Sequence, residues 1–163
     1  MMKPLFLTAF FAAFILSGYA QTSDVEAEAI INLLGVQKKE AIARLVSVSA
    51  KDSAAFWKIY DEYQQKNSPV AKNRLQLYEA TANSYSKMTD GMADSLAKKY
   101  FENRMAMEKS LEEYYKKIKT ATDATTAFEF YQAEVYLLTY MRAQIMQKIP
   151  TYGEFRAQLK KNE

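Results

Sequence analysis

Apolar residues in this chain recur with the period of an α-helix almost from end to end. Phe56, Tyr60, Tyr63, Val70, Leu77 and Met88 are separated by threes, fours and their sums, which keeps them on one helix face. Leu96, Tyr100, Met107, Leu111, Tyr114 and Ile118 repeat the pattern further on. Earlier, Ile30, Ile31, Leu34, Ala41 and Leu45 supply the apolar positions of a helix over about residues 23–46. No segment alternates β-branched and polar residues, so the pattern predicts an all-α fold. Its expected form is a set of long antiparallel helices in a thin bundle or hairpin.

Breakers and caps divide the pattern. Ser23 and Asp24 suit the start of the first helix, and Gly35 in its middle predicts a kink or a division into two short helices. Small polar residues from Ser49 to Ser53 precede the second helix. Pro69 falls inside that helix, and because proline lacks a backbone donor and crowds the preceding turn, a bend or break is expected near Asn67 and Ser68. The helix should then resume to about Lys87. Thr89 and Asp90 signal the start of a third helix that should stop near Thr120, and Asp123 or Thr122 is positioned to cap a fourth that ends before Pro150.

The fourth helix carries apolar residues on two faces. Phe128, Tyr131, Val135, Leu138 and Ile145 line one, while Phe130, Leu137, Tyr140 and Met141 line another. Such a helix is either central in its bundle or covered by a second chain. Phe130, Leu137, Tyr140 and Met141 are therefore the candidate partner or dimer face.

The first twenty residues have a different character. Lys3 is followed by an unbroken run of apolar and small residues to Leu16, and Gly18-Tyr19-Ala20 places small side chains before Gln21. This is the layout of a cleaved export signal, shorter than the roughly 20 apolar residues a spanning helix needs. The expected organisation is a signal peptide over 1–20, an N-terminal helical region over 21–50, a helical hairpin bundle over 51–150 and a flexible tail over 151–163. The expected address is periplasmic or secreted, with no stable membrane insertion after cleavage.

Composition narrows the chemistry. The chain has no cysteine, so no disulfide can hold an exported fold and apolar burial must do so. It also has no histidine, which removes the commonest neutral-pH proton carrier and transition-metal ligand. The formal net charge of +3 is spread along the chain with both signs interspersed, which argues against a nucleic-acid partner. No nucleophile with an adjacent base, glycine-rich phosphate cradle or dinucleotide fingerprint is present. The expectation is a protein that is not an enzyme and carries no cofactor.

Three constellations stand out. Met88, Met92, Met105 and Met107 are candidate soft ligands for Cu(I), although thioethers also fill helical cores. Glu108, Glu112 and Glu113 share a helix region with Lys109, Lys116 and Lys117, a pattern of i, i+4 ion pairs more than of a calcium loop. Arg74, Arg104 and Arg142 fall near apolar seams, where a charge needs a partner, and Glu134 and Glu129 are the expected ones. The twelve tyrosines suit either the rim of a thin bundle or a recognition surface.

Over roughly 55–149 the chain resembles the exported helical proteins related to the Spy and CpxP periplasmic chaperones and the periplasmic metal sensors grouped with them. The resemblance rests on Phe56-Trp57-Lys58-Ile59-Tyr60-Asp61-Glu62-Tyr63, on Met88-Thr89-Asp90-Gly91-Met92-Ala93-Asp94, and on Phe128-Glu129-Phe130-Tyr131-Gln132-Ala133-Glu134 with the apolar helix after it. Where that superfamily has Leu-Thr-x-x-Gln, this chain has Met88-Thr89, with Met92 at the Gln position. The resemblance implies a curved homodimer of long helices whose apolar, basic concave face holds unfolded clients. The function expected is binding of non-native or envelope proteins, as in an envelope-stress chaperone. The alternatives are a metal- or ligand-responsive sensor or adaptor and a structural envelope protein.

Overall fold

The computed structural model describes the backbone of residues 24–147 and the side chains of residues 34–147. The expected export signal over 1–20, the side chains of Ile30 and Ile31, and the expected tail over 151–163 lie outside the described residues. Four α-helices follow one another: α1 (Asp24–Leu45), α2 (Ser53–Ser84), α3 (Asp90–Ala121) and α4 (Ala124–Met146), with a short 3-10 turn at Tyr85–Lys87. Among the described residues there is no strand, and none of these helices is long and apolar enough to cross a membrane.

The caps explain two of the starts. Thr89 accepts from the Met92 N–H through its hydroxyl, and the Asp123 carboxylate accepts from the N–H groups of Thr125 and Thr126 at 2.8 and 2.9 Å. Each satisfies donors that the first turn leaves free. The resulting connections are short, so neighbouring helices run antiparallel. Each of α1 and α3 packs against both α2 and α4, closing a ring of four.

Neither helix is broken at the expected place. α1 continues through Gly35, whose carbonyl accepts from the Gln64 side-chain amide at 3.0 Å. α2 is one helix of 32 residues with Pro69 inside it. The proline ring is exposed, and so is Gln65, whose carbonyl loses its helical donor to the proline and faces water instead. Just inside, asparagines tie α2 to α3: Asn67 Nδ2 donates to the Tyr63 carbonyl and to Ser110 Oγ, and Asn103 Nδ2 donates to the Val70 carbonyl and Asn73 Oδ1. These bonds span the weak point from both sides.

All four helices meet at the end that carries the 46–52 and 122–123 connections, and the core sits there. Ile42, Phe56, Tyr60, Tyr63, Leu111, Tyr114, Ile118 and Phe130 are its large members. The rings meet edge to face, Tyr63 against Phe130 at 5.4 Å and against Tyr114 at 5.3 Å. Ile42 holds the inner position of α1, whereas Leu45, expected inside, is 48% exposed. At 32 residues each, α2 and α3 are about 48 Å long, against about 33 Å for the described α1. Their hairpin outruns the described parts of the other two helices and is held by Leu77, Tyr78 and Tyr100.

Candidate functional site

A polar cluster lies inside the aromatic core. Glu134 on α4 is fully buried, and its carboxylate accepts from Tyr63 Oη at 2.9 Å, from Tyr60 Oη at 3.3 Å and from Lys38 Nζ at 2.9 Å. The Lys38 ammonium also sits 5.1 Å from the centre of the Tyr63 ring, so one cation serves a carboxylate and an aromatic face. Burial pushes both tyrosine hydroxyls well above their ordinary pKa, and the negative charge of Glu134 pushes them further. Both are therefore held as neutral donors beyond the ordinary range of a tyrosine hydroxyl. With three donors for one carboxylate the cluster is satisfied internally, and it fixes the register of α1, α2 and α4.

This arrangement corrects the expected arginine pairings. Glu134 is paired with Lys38 and not with an arginine, and Glu129 accepts from the Ser47 N–H at 2.7 Å just beyond the end of α1. Arg104 is exposed on the outer side of α3. Arg74 donates through Nε to Asn103 Oδ1 at 2.7 Å and lies over the Tyr100 ring. Sequence spacing places a charge on a face but not the distance between helices; the reach of Lys38 from α1 has no local signature.

The four methionines do not converge. Met88 and Met92 sit at the hairpin tip, and thirteen residues of α3, about 20 Å, separate Met92 from Met105. Met105 is 55% exposed, while Met107 points to the bundle interior. They form no common site. The acidic run behaves as surface pairing: Glu112 with Lys116, and Glu113 with both Lys117 and Lys66 of α2, which draws both carboxyls below their ordinary pKa.

The residues of α4 do not separate as the sequence groups them: Leu138 and Ile145 turn toward the bundle interior with Met141. Phe130 is fully buried in the chain's own core, Leu137 packs against that core, and Tyr140 and Met141 are half-buried. The opposite side is open to solvent. Phe128 is 54% and Tyr136 62% exposed, with Tyr131 and Val135 between them. Glu129 and Glu134 are the only charged residues from Phe128 to Tyr140; one is bonded to the Ser47 backbone and the other is buried. The outer face of α4 is thus aromatic and uncharged. Beside it runs a shallow groove formed with Glu108, Glu112 and Tyr115 of α3, and Phe101 and Met105 continue along the outside of that helix.

Large apolar groups gathered on an exposed face are the kind of surface through which proteins in general meet other polypeptides. Among the described residues there is no group of three or more acidic, histidine or cysteine side chains placed to hold a metal ion. Comparison of the chain with protein families, with curated proteins and with solved structures finds no match.

Proposed function

We propose that this chain is an exported, non-enzymatic helical protein that binds other polypeptides through the outer face of α4 and the adjoining side of α3. The observation that supports the reading most directly is the uncharged strip of Phe128, Tyr131, Val135 and Tyr136, left exposed although a core lies one helix radius away. Apolar contact is non-directional, so such a strip can hold a non-native chain without a defined sequence and without a catalytic group. The expected activity is that of an envelope-stress chaperone, in line with the resemblance to the Spy and CpxP group.

The test is suppression of aggregation of an unfolding reference protein at equimolar ratio, with the molecular mass of the chain measured in parallel. Full activity in the wild type and its loss in the Phe128→Ser/Tyr136→Ser double variant is the expected result. No suppression by the wild type, or suppression that the double variant retains, overturns the reading. A dimeric wild type that becomes monomeric on the same substitutions, with no effect on aggregation at any stage, assigns the strip to self-association instead.

A further inference from the structure

Between the aromatic core and the hairpin tip, the helices leave an elongated cavity near the bundle axis. It consists of two parts of about 80 and 90 Å3 that share a wall of Leu34, Ala71, Met107, Leu138 and Met141. Together they offer the ~150 Å3 that holds a small apolar molecule, and both parts are half open to solvent, so a longer chain can extend beyond them. The wall is apolar, but the two ends are not.

At the upper end stand Arg74 and Arg142. Neither guanidinium has a carboxylate partner among the described residues: Arg74 is engaged by the neutral Asn103 amide and the Tyr100 ring, and Arg142 makes no hydrogen bond there. Two cations lining one apolar cavity repel each other, and no described carboxylate offsets their charge. At the lower end is Asn67, only 6% exposed, which spends its Nδ2 on the Tyr63 carbonyl and Ser110 and leaves Oδ1 as a buried acceptor without a donor. Among the described residues the cavity thus has no anion at one end and no hydrogen-bond donor for Asn67 Oδ1 at the other. Seven residues of α2 separate Asn67 from Arg74, about 10 Å along the axis, the length of an extended octyl chain.

We infer that this cavity is a binding site for a medium-chain aliphatic carboxylate that bears a hydroxyl at its far end. The carboxylate meets Arg74 and Arg142, where guanidinium geometry suits bidentate contact. The alkyl chain lies along Met107, Leu138 and Met141, and the terminal hydroxyl donates to Asn67 Oδ1. The site is on the inner side of α4 and is independent of the strip on its outer side.

Calorimetric titration of the full chain with octanoate, ω-hydroxyoctanoate and octylamine tests the inference. The expected order is the hydroxy acid tightest, octanoate weaker, and octylamine without binding. Arg142→Gln should weaken the hydroxy acid about tenfold or more, since a charge-assisted bond is lost, and Arg142→Lys should recover part of the loss. Asn67→Leu should bring the hydroxy acid and octanoate to equal affinity. Absence of binding by either acid at millimolar concentration, binding of octylamine as tight as that of octanoate, or an Arg142→Gln variant that binds unchanged while retaining its helical circular dichroism overturns the site. Equal binding of the two acids by the wild type overturns the assignment at Asn67.

Discussion

Lys38 Nζ lies 2.9 Å from Glu134 Oε2, a cation from the first helix reaching a carboxylate on the last that no water touches. Removing one member of such a pair costs far more than removing both, because the survivor is a buried, uncompensated charge. Lys38→Met should therefore lower the unfolding free energy by about 3–5 kcal/mol. In the Lys38→Met/Glu134→Gln double variant the amide oxygen still accepts from the tyrosines, and much of the loss should be recovered. Urea denaturation of the three proteins measures the difference.

The tyrosines of the same cluster predict an alkaline limit. Their hydroxyls ionise near pH 10 in the unfolded chain but are held protonated in the fold, with pKa values raised by burial and by Glu134. Below about pH 10 the contribution is fully present; above it the unfolded state releases protons that the folded state keeps, and stability falls. The decline should reach about 1.4 kcal/mol per pH unit for each hydroxyl. A Tyr60→Phe/Tyr63→Phe variant should lose this slope, while its neutral-pH stability drops because Glu134 loses two donors. Denaturation across pH 8 to 11 distinguishes the two proteins.

The connection before α4 predicts the opposite dependence. The bonds from Thr126 and Thr125 hold the Asp123 carboxyl below its usual range. Its contribution is present above the unfolded value of about 3.9 and is lost as pH falls through the lower folded value. Asp123→Asn keeps an acceptor at the cap and should flatten this acid dependence; Asp123→Ala should be less stable than Asp123→Asn at neutral pH. Thermal melts at pH 3 and pH 7 measure both effects.

Two helix interiors carry residues that helices disfavour, and replacement should stabilise. A Cβ at Gly35 would lie 3.5 Å from Gln64 Oε1, an ordinary contact, so Gly35→Ala should add about 1 kcal/mol. Pro69→Ala restores the donor to the Gln65 carbonyl on an exposed face and should add about 1–3 kcal/mol, less whatever rigidity the proline gives the unfolded chain. Raised melting temperatures for both variants are the expected readings.

Burial separates the two faces of α4 in a way that substitution can measure. Phe130→Ala should cost about 3–5 kcal/mol through the cavity it leaves. Phe128→Ser and Tyr136→Ser, both at exposed positions, should each change stability by less than about 0.5 kcal/mol. A large loss at Phe128 would place it in a core that includes residues beyond those described.

Much of the fold is legible in the residues. The seams of α2 and α3 from Phe56 to Tyr63 and from Leu111 to Ile118 are buried as their spacing requires, and Thr89 and Asp123 cap where their side chains predict. What periodicity does not carry is choice between alternatives of equal local merit. Both faces of α4 are apolar, and only contact with Tyr60 and Tyr63 decides that Phe130 turns inward. Pro69 reads as a break because its own chemistry is local, whereas the asparagine bonds that carry the helix past it come from a helix thirty residues on. Glu134 presents the same limit: its partner lies 96 positions earlier.

Among the described residues, the helices divide into a cross-braced base and an arm of two rods. Amide protons around Tyr63 and Phe130 should exchange only through global unfolding, whereas those beyond Leu77 and before Tyr100 need only the arm to splay. Breathing is thus directed to one end, and a guest could pass between the rods while the braced end stays shut.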